Sequence, residues 1–242
     1  MVNALTFTGL VKHFGEQTVL SNVDFNVQAG EFFGLVGLNG AGKSTLIKCL
    51  LDFCAIDAGS IEIFGVDHRK TTSRTHLAFL PEKFTPPYYL TGRDFLDFMS
   101  ELHGHAYDDA KVFEMLKILD LDRTALSKPV YQYSKGMGQK LGLISCLISG
   151  KRLLIFDEPM SGLDPRAMVY LKNHLLDIKQ HGYTLFFSTH LLVDIETLCD
   201  RMAILHEGKI YFIGTSDECK KYYKAESLDQ AYIKCVDNAP GH

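Results

Sequence analysis

Gly37-Leu38-Asn39-Gly40-Ala41-Gly42-Lys43-Ser44-Thr45 has the spacing G-x-x-x-x-G-K-[ST], and its flanks supply a strand to leave and a helix to enter. The apolar run Phe32-Phe33-Gly34-Leu35-Val36 predicts a buried strand, and Leu46-Ile47-Lys48-Cys49-Leu50-Leu51 predicts the helix beyond the loop. Glycines let the backbone between them curl so that consecutive N–H groups point into one concavity, and the helix N-terminus adds partial positive charge. Lys43 can then reach the β- and γ-phosphates of a nucleotide, and the Ser44 hydroxyl can ligate Mg²⁺. The stretch Gly37, Leu38, Asn39, Gly40, Ala41, Gly42, Lys43, Ser44 and Thr45 therefore predicts a nucleoside triphosphate site. A plain Gly-rich turn is the competing reading, and the strand–loop–helix context argues against it.

Outward from this loop, strands and helices alternate. Two β-rich runs, 5–11 and 19–27, open the chain around a turn at Phe14-Gly15-Glu16. Ser60-Ile61-Glu62-Ile63-Phe64 alternates as a half-exposed strand does, and Leu77-Ala78-Phe79-Leu80 reads as a short buried one stopped by Pro81. From 85 to 150 helical periodicity replaces strands. Thr91 with Asp94 predicts a capped helix start, followed by an expected core stripe of Phe95, Phe98, Met99 and Leu102. A second helix, 109–119, places Val112, Met115, Leu116 and Leu119 on one face. Alternation then resumes with strands at 153–156, 185–188, 202–205 and 210–213 and helices at 165–179 and 191–199. The fold class expected is α/β: a P-loop NTPase core with a mostly parallel sheet, an N-terminal antiparallel β subdomain and an inserted α-helical lobe. One domain is expected over 1–236, with an unstructured tail at 237–242.

Composition narrows the function. At 242 residues, 46% hydrophobic and 22% charged, the chain has material for a sizeable core. A formal charge of −4 lacks the basic face that a nucleic-acid partner requires. Six cysteines without metal-ligand spacing suit a reducing compartment. No apolar run approaches the ~18 residues of a membrane span, and no secretory signal opens the sequence. A cytoplasmic protein is expected.

Further polar positions sit where an open parallel sheet binds ligands, at the carboxyl ends of strands. Leu153-Leu154-Ile155-Phe156-Asp157-Glu158 ends in two carboxylates: Asp157 is placed to hold Mg²⁺ through its water shell, and Glu158 to act as general base on water. His190 follows Thr184-Leu185-Phe186-Phe187-Ser188-Thr189, where an imidazole can bond a γ-phosphate. Ser134 is a good N-cap for a helix beginning near Lys135-Gly136-Met137, which makes a second anion-binding helix start. One nucleotide hardly needs two such sites from one chain, so this one is expected to grip the γ-phosphate held by another copy.

In this order, the 37–45 loop, Ser134-Lys135-Gly136-Met137, Asp157-Glu158-Pro159, Ser161-Gly162-Leu163-Asp164 and His190 resemble the ATP-binding cassette (ABC) ATPases. The resemblance spans roughly Leu5 to Gly214 and implies a head-to-tail pair of cassettes, each ATP held by one P-loop and by the partner's Ser134 and Gly136. It implies that Asp164 lies in a loop communicating between the sites, that Phe14 stacks on adenine, and that the cofactor is Mg²⁺. The wording of the motifs is similar to ATPase subunits of ABC-2-type exporters, which implies integral membrane permease subunits on separate chains. That would place the protein on the inner face of the cell membrane.

Two positions depart from the family pattern. Lys135 replaces a glycine, and Glu82 replaces a glutamine that meets Mg²⁺ and water. Glu82 is expected to ligate the metal and to slow or gate hydrolysis, because it adds negative charge beside the γ-phosphate. The aromatic, Pro-stiffened segment Lys83-Phe84-Thr85-Pro86-Pro87-Tyr88-Tyr89 is either a socket for a permease helix or internal packing of the lobe. The alternatives for function are a non-catalytic cassette pairing with an active one and a soluble ABC ATPase acting on nucleic acid or ribosomes. Intact Glu158 and His190 argue against the first, and the lack of basic surfaces or long insertions against the second. A GTPase is disfavoured because no Asn-Lys-x-Asp motif is present.

Overall fold

A computed structural model describes residues 2–237. The described residues form β1 (Asn3–Phe14), β2 (Gln17–Gln28), β3 (Phe32–Val36), α1 (Lys43–Leu50), β4 (Ala58–Ile63), β5 (Val66–Asp67), β6 (Leu77–Leu80), α2 (Gly92–Leu102), α3 (Asp109–Ile118), α4 (Lys135–Leu147), β7 (Leu153–Asp157), α5 (Pro165–Gln180), β8 (Thr184–Thr189), α6 (Leu192–Leu198), β9 (Arg201–His206), β10 (Lys209–Gly214), α7 (Ser216–Tyr222) and α8 (Leu228–Asp237). Two sheets result. The antiparallel one has order β2-β1-β4-β5, and the other has order β10-β9-β3-β8-β7-β6. In the second sheet only the β9–β10 pair is antiparallel.

The central strands are buried on both faces, so their side chains sort by parity into two cores. Phe33 and Leu35 of β3, Leu153 and Ile155 of β7 and Phe186 of β8 join the core shared with α1 and the antiparallel sheet. There Phe25 stacks on Phe7 at 4.4 Å and on Phe33 at 5.4 Å between ring centroids. Phe32 and Val36, Leu154 and Phe156, Leu185 and Phe187 face the opposite way, into the core built with α2–α6. Gly34 shares that second face. A Cβ there would lie 2.2 Å from Ile195 Cδ1 and 2.9 Å from Cys199 Sγ, so its missing side chain is what lets α6 lie against β3.

Expected elements recur with shifted ends. The first strand runs on to Phe14 instead of ending at Val11, which shortens the turn to Gly15-Glu16. Thr91 and Asp94 form the expected capping box, and between β6 and β7 the described residues hold helices and no ladder strand. The stripe on α2 requires correction. Phe95 is buried and Met99 half-buried, but Phe98 and Leu102 are 48% and 64% exposed. Gly92, Phe95, Leu96 and Ser100 make the buried face, because α2 meets its neighbours along a narrower and rotated seam. Two helices, α7 and α8, were not foreseen. Thr215 with Glu218 is a capping box, and Leu228, Ala231 and Cys235 recur at helical spacing, so both carried a readable signal. Asp237, placed in the expected tail, ends α8, and 238–242 lie outside the described residues. Among the described residues no helix is long and apolar enough to cross a membrane.

Candidate functional site

Strand β3 lies between β9 and β8, and its carboxyl end releases the 37–45 loop. Close backbone approach fixes both ends of the loop. A Cβ on Gly37 would sit 2.4 Å from Leu205 O. Gly42, at φ 109°, would meet Leu20 Cδ2 at 2.9 Å and Val19 O at 3.0 Å, so both conformation and space demand glycine. The Gly208 amide donates to Ala41 O at 3.1 Å. Residues 38–40 between these anchors are exposed. Lys43 is buried, and its Nζ donates to Gly37 O at 2.6 Å and Leu38 O at 3.3 Å, so the ammonium folds back over the start of the loop that leads into α1.

The end of β7 reaches the same place through β8. Asp157 and Glu158 are 6% and 8% exposed. Glu158 has φ 51°, the left-handed region that a non-glycine residue occupies only when its surroundings hold it. The Glu158 amide donates to Ser188 Oγ at 3.0 Å and Ser188 O at 3.3 Å, while Ser161 N donates to Glu158 O at 3.0 Å. Ser188 Oγ in turn donates to Asp157 Oδ1. One buried hydroxyl therefore orients both carboxylate residues, a role that sequence reading left unassigned. The apolar strand context hid it, because Ser188 reads only as one more residue of β8.

Glu158 carries two further partners. Its Oε2 accepts from His190 Nδ1 at 2.8 Å, and its Oε1 lies 3.4 Å from Lys43 Nζ with no hydrogen-bond partner. An ionised carboxylate only accepts, so this arrangement puts a proton on Nδ1. A neutral His190 then presents Nε2 as an acceptor. Donation to a phosphate oxygen through Nε2 requires a second proton or release of the Glu158 contact.

These groups face one open cleft of about 470 Å³, lined by Phe14, Val19, Leu38, Asn39, Gly40, Gly42, Lys43, Ser44, Thr45, Glu82, Glu158, Ser161 and His190. Phe14 is 53% exposed at the cleft edge. Gly37, Ala41 and Asp157 stand behind the lining, and Val19 and Ser161 are additions that sequence reading did not place there. Ser134, Gly136 and Asp164 do not line this cleft in the same chain. The Ser134 hydroxyl caps α4 by accepting from Met137 N at 3.2 Å, as expected, and Ser134 lines a second groove of about 480 Å³ with Glu82, Lys83, Tyr88, Tyr131 and Lys135.

Helix α4 is joined to the loop after Glu158. A Cβ on Gly136 would lie 2.7 Å from Gly162 O, Gln139 Nε2 donates to Pro159 O at 3.3 Å, and Lys135 Nζ is 3.4 Å from Ser161 Oγ. Buried Lys140 reaches Asp164 Oδ2 at 2.9 Å and Asp120 O at 3.1 Å. Asp164 Oδ1 accepts from Ala167 N at 2.9 Å as the cap of α5. The Lys140 ammonium and this amide hold the Asp164 carboxyl down at about 2.

The donor set around the cleft suits Mg²⁺. It is all oxygen, from the Ser44 hydroxyl, Glu82 and, behind them, Asp157. Among the described residues no three His, Cys, Asp or Glu side chains converge into an all-protein metal cage. That fits an ion which keeps several waters and takes its other oxygens from phosphate.

A phosphate loop on a central strand, two carboxylates on the strand two places away and a histidine between them define a P-loop nucleoside triphosphatase. The protein-family profile described as ABC transporter matches residues 20–161. The ABC transporter ATP-binding protein sll0415 of Synechocystis, itself uncharacterized, is 37% identical over 202 residues, covering 82% of this chain and 57% of that protein. The chain thus spans less than two thirds of the length of that relative. The lantibiotic transport ATP-binding protein SrtF of Streptococcus pyogenes is 32% identical over 230 residues, covering 94% of this chain and 95% of that one. A solved ATP-binding subunit of an ABC transporter superposes with a TM-score of 0.87 at 32% identity, covering 96% of this chain and 99% of its own. The chain belongs to the ABC transporter family, and over nearly its whole length it is similar to ATP-binding subunits of that family.

Proposed function

We propose that this chain is the ATP-hydrolysing subunit of an exporter, and that two cassettes close head to tail around two MgATP to drive a separate membrane permease. The observation that carries the reading is the separation within one chain of the two elements proposed to bind phosphate. The cleft holds the P-loop, Glu158 and His190, whereas Ser134, Gly136 and Asp164 lie outside it and are available to a second copy. The cassette is proposed to be one domain, with the expected boundary at 236 moved to Asp237, the last residue of α8.

In this reading Lys43 leaves the loop carbonyls and Glu158 to bind the β- and γ-phosphates, and the amides of 40–45 cradle them. Phe14 stacks on adenine. Ser44, Asp157 and Glu82 hold Mg²⁺, which neutralises charge on the phosphate oxygens. Glu158, freed from Lys43, takes a proton from the attacking water, and His190, once released from Glu158 or carrying a second proton, donates to the γ-phosphate through Nε2. Closure follows because ATP bound between two chains favours the closed pair.

The groove beside Glu82 offers Tyr88 and Tyr131, 72% and 66% exposed, as anchors for a permease segment. Phe84 turns inward and meets Phe95 edge-on at 5.6 Å. The segment thus divides between the two readings of its sequence. A lantibiotic transport function belongs to SrtF by name, and it favours export as the direction for this chain. Attachment to the permease would place the cassette on the inner membrane face.

The test is gel filtration with light scattering on Glu158→Gln, with and without MgATP, beside phosphate release from the wild type. An ATP-dependent dimer in the variant, with hydrolysis in the wild type and none in the variant, is the expected result. A variant that binds ATP yet stays monomeric overturns the homodimer and requires a different second cassette.

A further inference from the structure

The exposed crown of the phosphate loop is held by a residue from the far end of the chain. Leu38 N donates to Tyr232 Oη at 3.2 Å across a separation of 194 residues. Both backbone polar groups of Leu38 are engaged, because its carbonyl accepts from Ala41 N at 3.1 Å and from Lys43 Nζ at 3.3 Å. Among the described residues, no other side chain from outside the loop hydrogen-bonds to residues 38–40. The loop's ends are fixed by the close approach of Gly37 to Leu205 and of Gly42 to Val19, so Tyr232 restrains the part that these contacts leave free.

Helix α8 gives Tyr232 a firm base. Leu228, Ala231 and Cys235 are 1%, 0% and 1% exposed, and the helix lies against α6, α7 and β10. Two χ angles connect a half-buried ring to a fixed helix, so little freedom remains for the hydroxyl.

We propose that Tyr232 is a positioning residue of the nucleotide site: its hydroxyl, presented by the C-terminal helix, holds the Leu38 peptide and thereby keeps the crown of the loop in the shape that receives phosphate. Tyr232 touches no phosphate itself. A restrained free loop loses less conformational freedom when ATP binds, so the restraint appears as affinity. The proposal rests on the reading of 37–45 as the phosphate loop. It adds the C-terminal helix to the site and predicts that anything displacing α8 weakens ATP binding.

The experiment uses the full chain and a fluorescent ATP analogue, mant-ATP, with Tyr232→Phe compared to the wild type. Phenylalanine keeps the ring and removes only the acceptor. Dissociation constant and KM are expected to rise together about three- to fivefold, the worth of one partly exposed hydrogen bond, with kcat changed less than about twofold. Ile233→Ser, on an exposed neighbour of α8, is expected to bind as the wild type does. Unchanged or tighter binding by Tyr232→Phe overturns the proposal. So does an equal loss in Ile233→Ser, or a loss matched by a large fall in Tm, because either would report a softened helix. A wild type that fails to bind mant-ATP would overturn the reading of the loop itself and this proposal with it.

Discussion

Lys43 Nζ lies 3.4 Å from Glu158 Oε1, so the cation proposed to bind phosphate and the carboxylate proposed as base form an ion pair with each other. Both are buried, at 6% and 10% side-chain exposure. In the proposed reading ATP parts them, its phosphates replacing the carboxylate as the partner of Lys43. Glu158→Gln removes the competing charge and the base together. Nucleotide affinity is expected to hold or rise, while kcat falls about 10²- to 10⁴-fold. Equilibrium binding and phosphate release on one preparation check both halves.

Ser188 is expected to matter more than its place inside an apolar strand suggests. Ser188→Ala strips a donor from Asp157 Oδ1 and an acceptor from Glu158 N. A cost of about 1–3 kcal/mol is expected from the buried groups left behind. Part of the loss should appear as lower kcat, since Glu158 then relaxes from φ 51°. Urea unfolding beside steady-state ATPase assays measures both, and Ser188→Thr, which keeps the hydroxyl, should recover part of each.

Glu82 lines both the nucleotide cleft and the neighbouring groove. Glu82→Gln removes a negative charge from beside the expected γ-phosphate while keeping an oxygen ligand. The ATPase rate is expected to rise and the Mg²⁺ optimum to shift. Identical rate and identical Mg²⁺ dependence would rule out a gating role.

The Lys140–Asp164 pair predicts a pH signature. The folded Asp164 carboxyl, held at about 2, ionises more readily than an unfolded one near ~3.9. A depressed acid favours the folded state wherever the unfolded group has already ionised. Its contribution is therefore complete above about pH 4–5 and is lost as pH falls towards 2. Lys140→Met should lower the urea midpoint most near neutrality, with the gap from wild type narrowing between about pH 4 and 2. A residual gap is expected from the lost Asp120 O contact. A gap independent of pH would refute the pairing.

Gly34→Ala tests how α6 is seated. The added methyl group would overlap Ile195 and crowd Cys199, so α6 must shift. Overpacking of this kind costs about 1–3 kcal/mol, or a Tm fall of a few degrees for a chain of this size. Because α6 follows His190, activity should fall by more than the loss of folded protein accounts for. Circular-dichroism melts beside specific activity distinguish the two effects.

What could be read in the sequence were features that depend on near neighbours. The phosphate loop is legible because its chemistry needs fixed residue types at fixed spacing between a strand and a helix. The acidic end of β7 and His190 after β8 are legible because strand runs and their boundaries are local patterns, and parallel strands bring their carboxyl ends to one edge. Ser134 as a helix cap is local too. Even the misreading of Phe98 and Leu102 shows this limit: periodicity locates a helix, but its neighbours decide which stripe is covered.

Only the tertiary structure decided the rest. Ser188 bonding Asp157 and Glu158 depends on the pairing of β7 with β8, Lys140 finding Asp164 depends on α4 crossing the 158–164 loop, and Tyr232 reaching Leu38 joins positions 194 residues apart. None of these has a repeat or a spacing, because each is the meeting of two elements whose separation along the chain is arbitrary. The sequence determined which elements form and which residues can do phosphate chemistry. Packing determined how those residues are oriented, since orientation comes from hydrogen bonds and close contacts between parts of the chain that become neighbours only on folding.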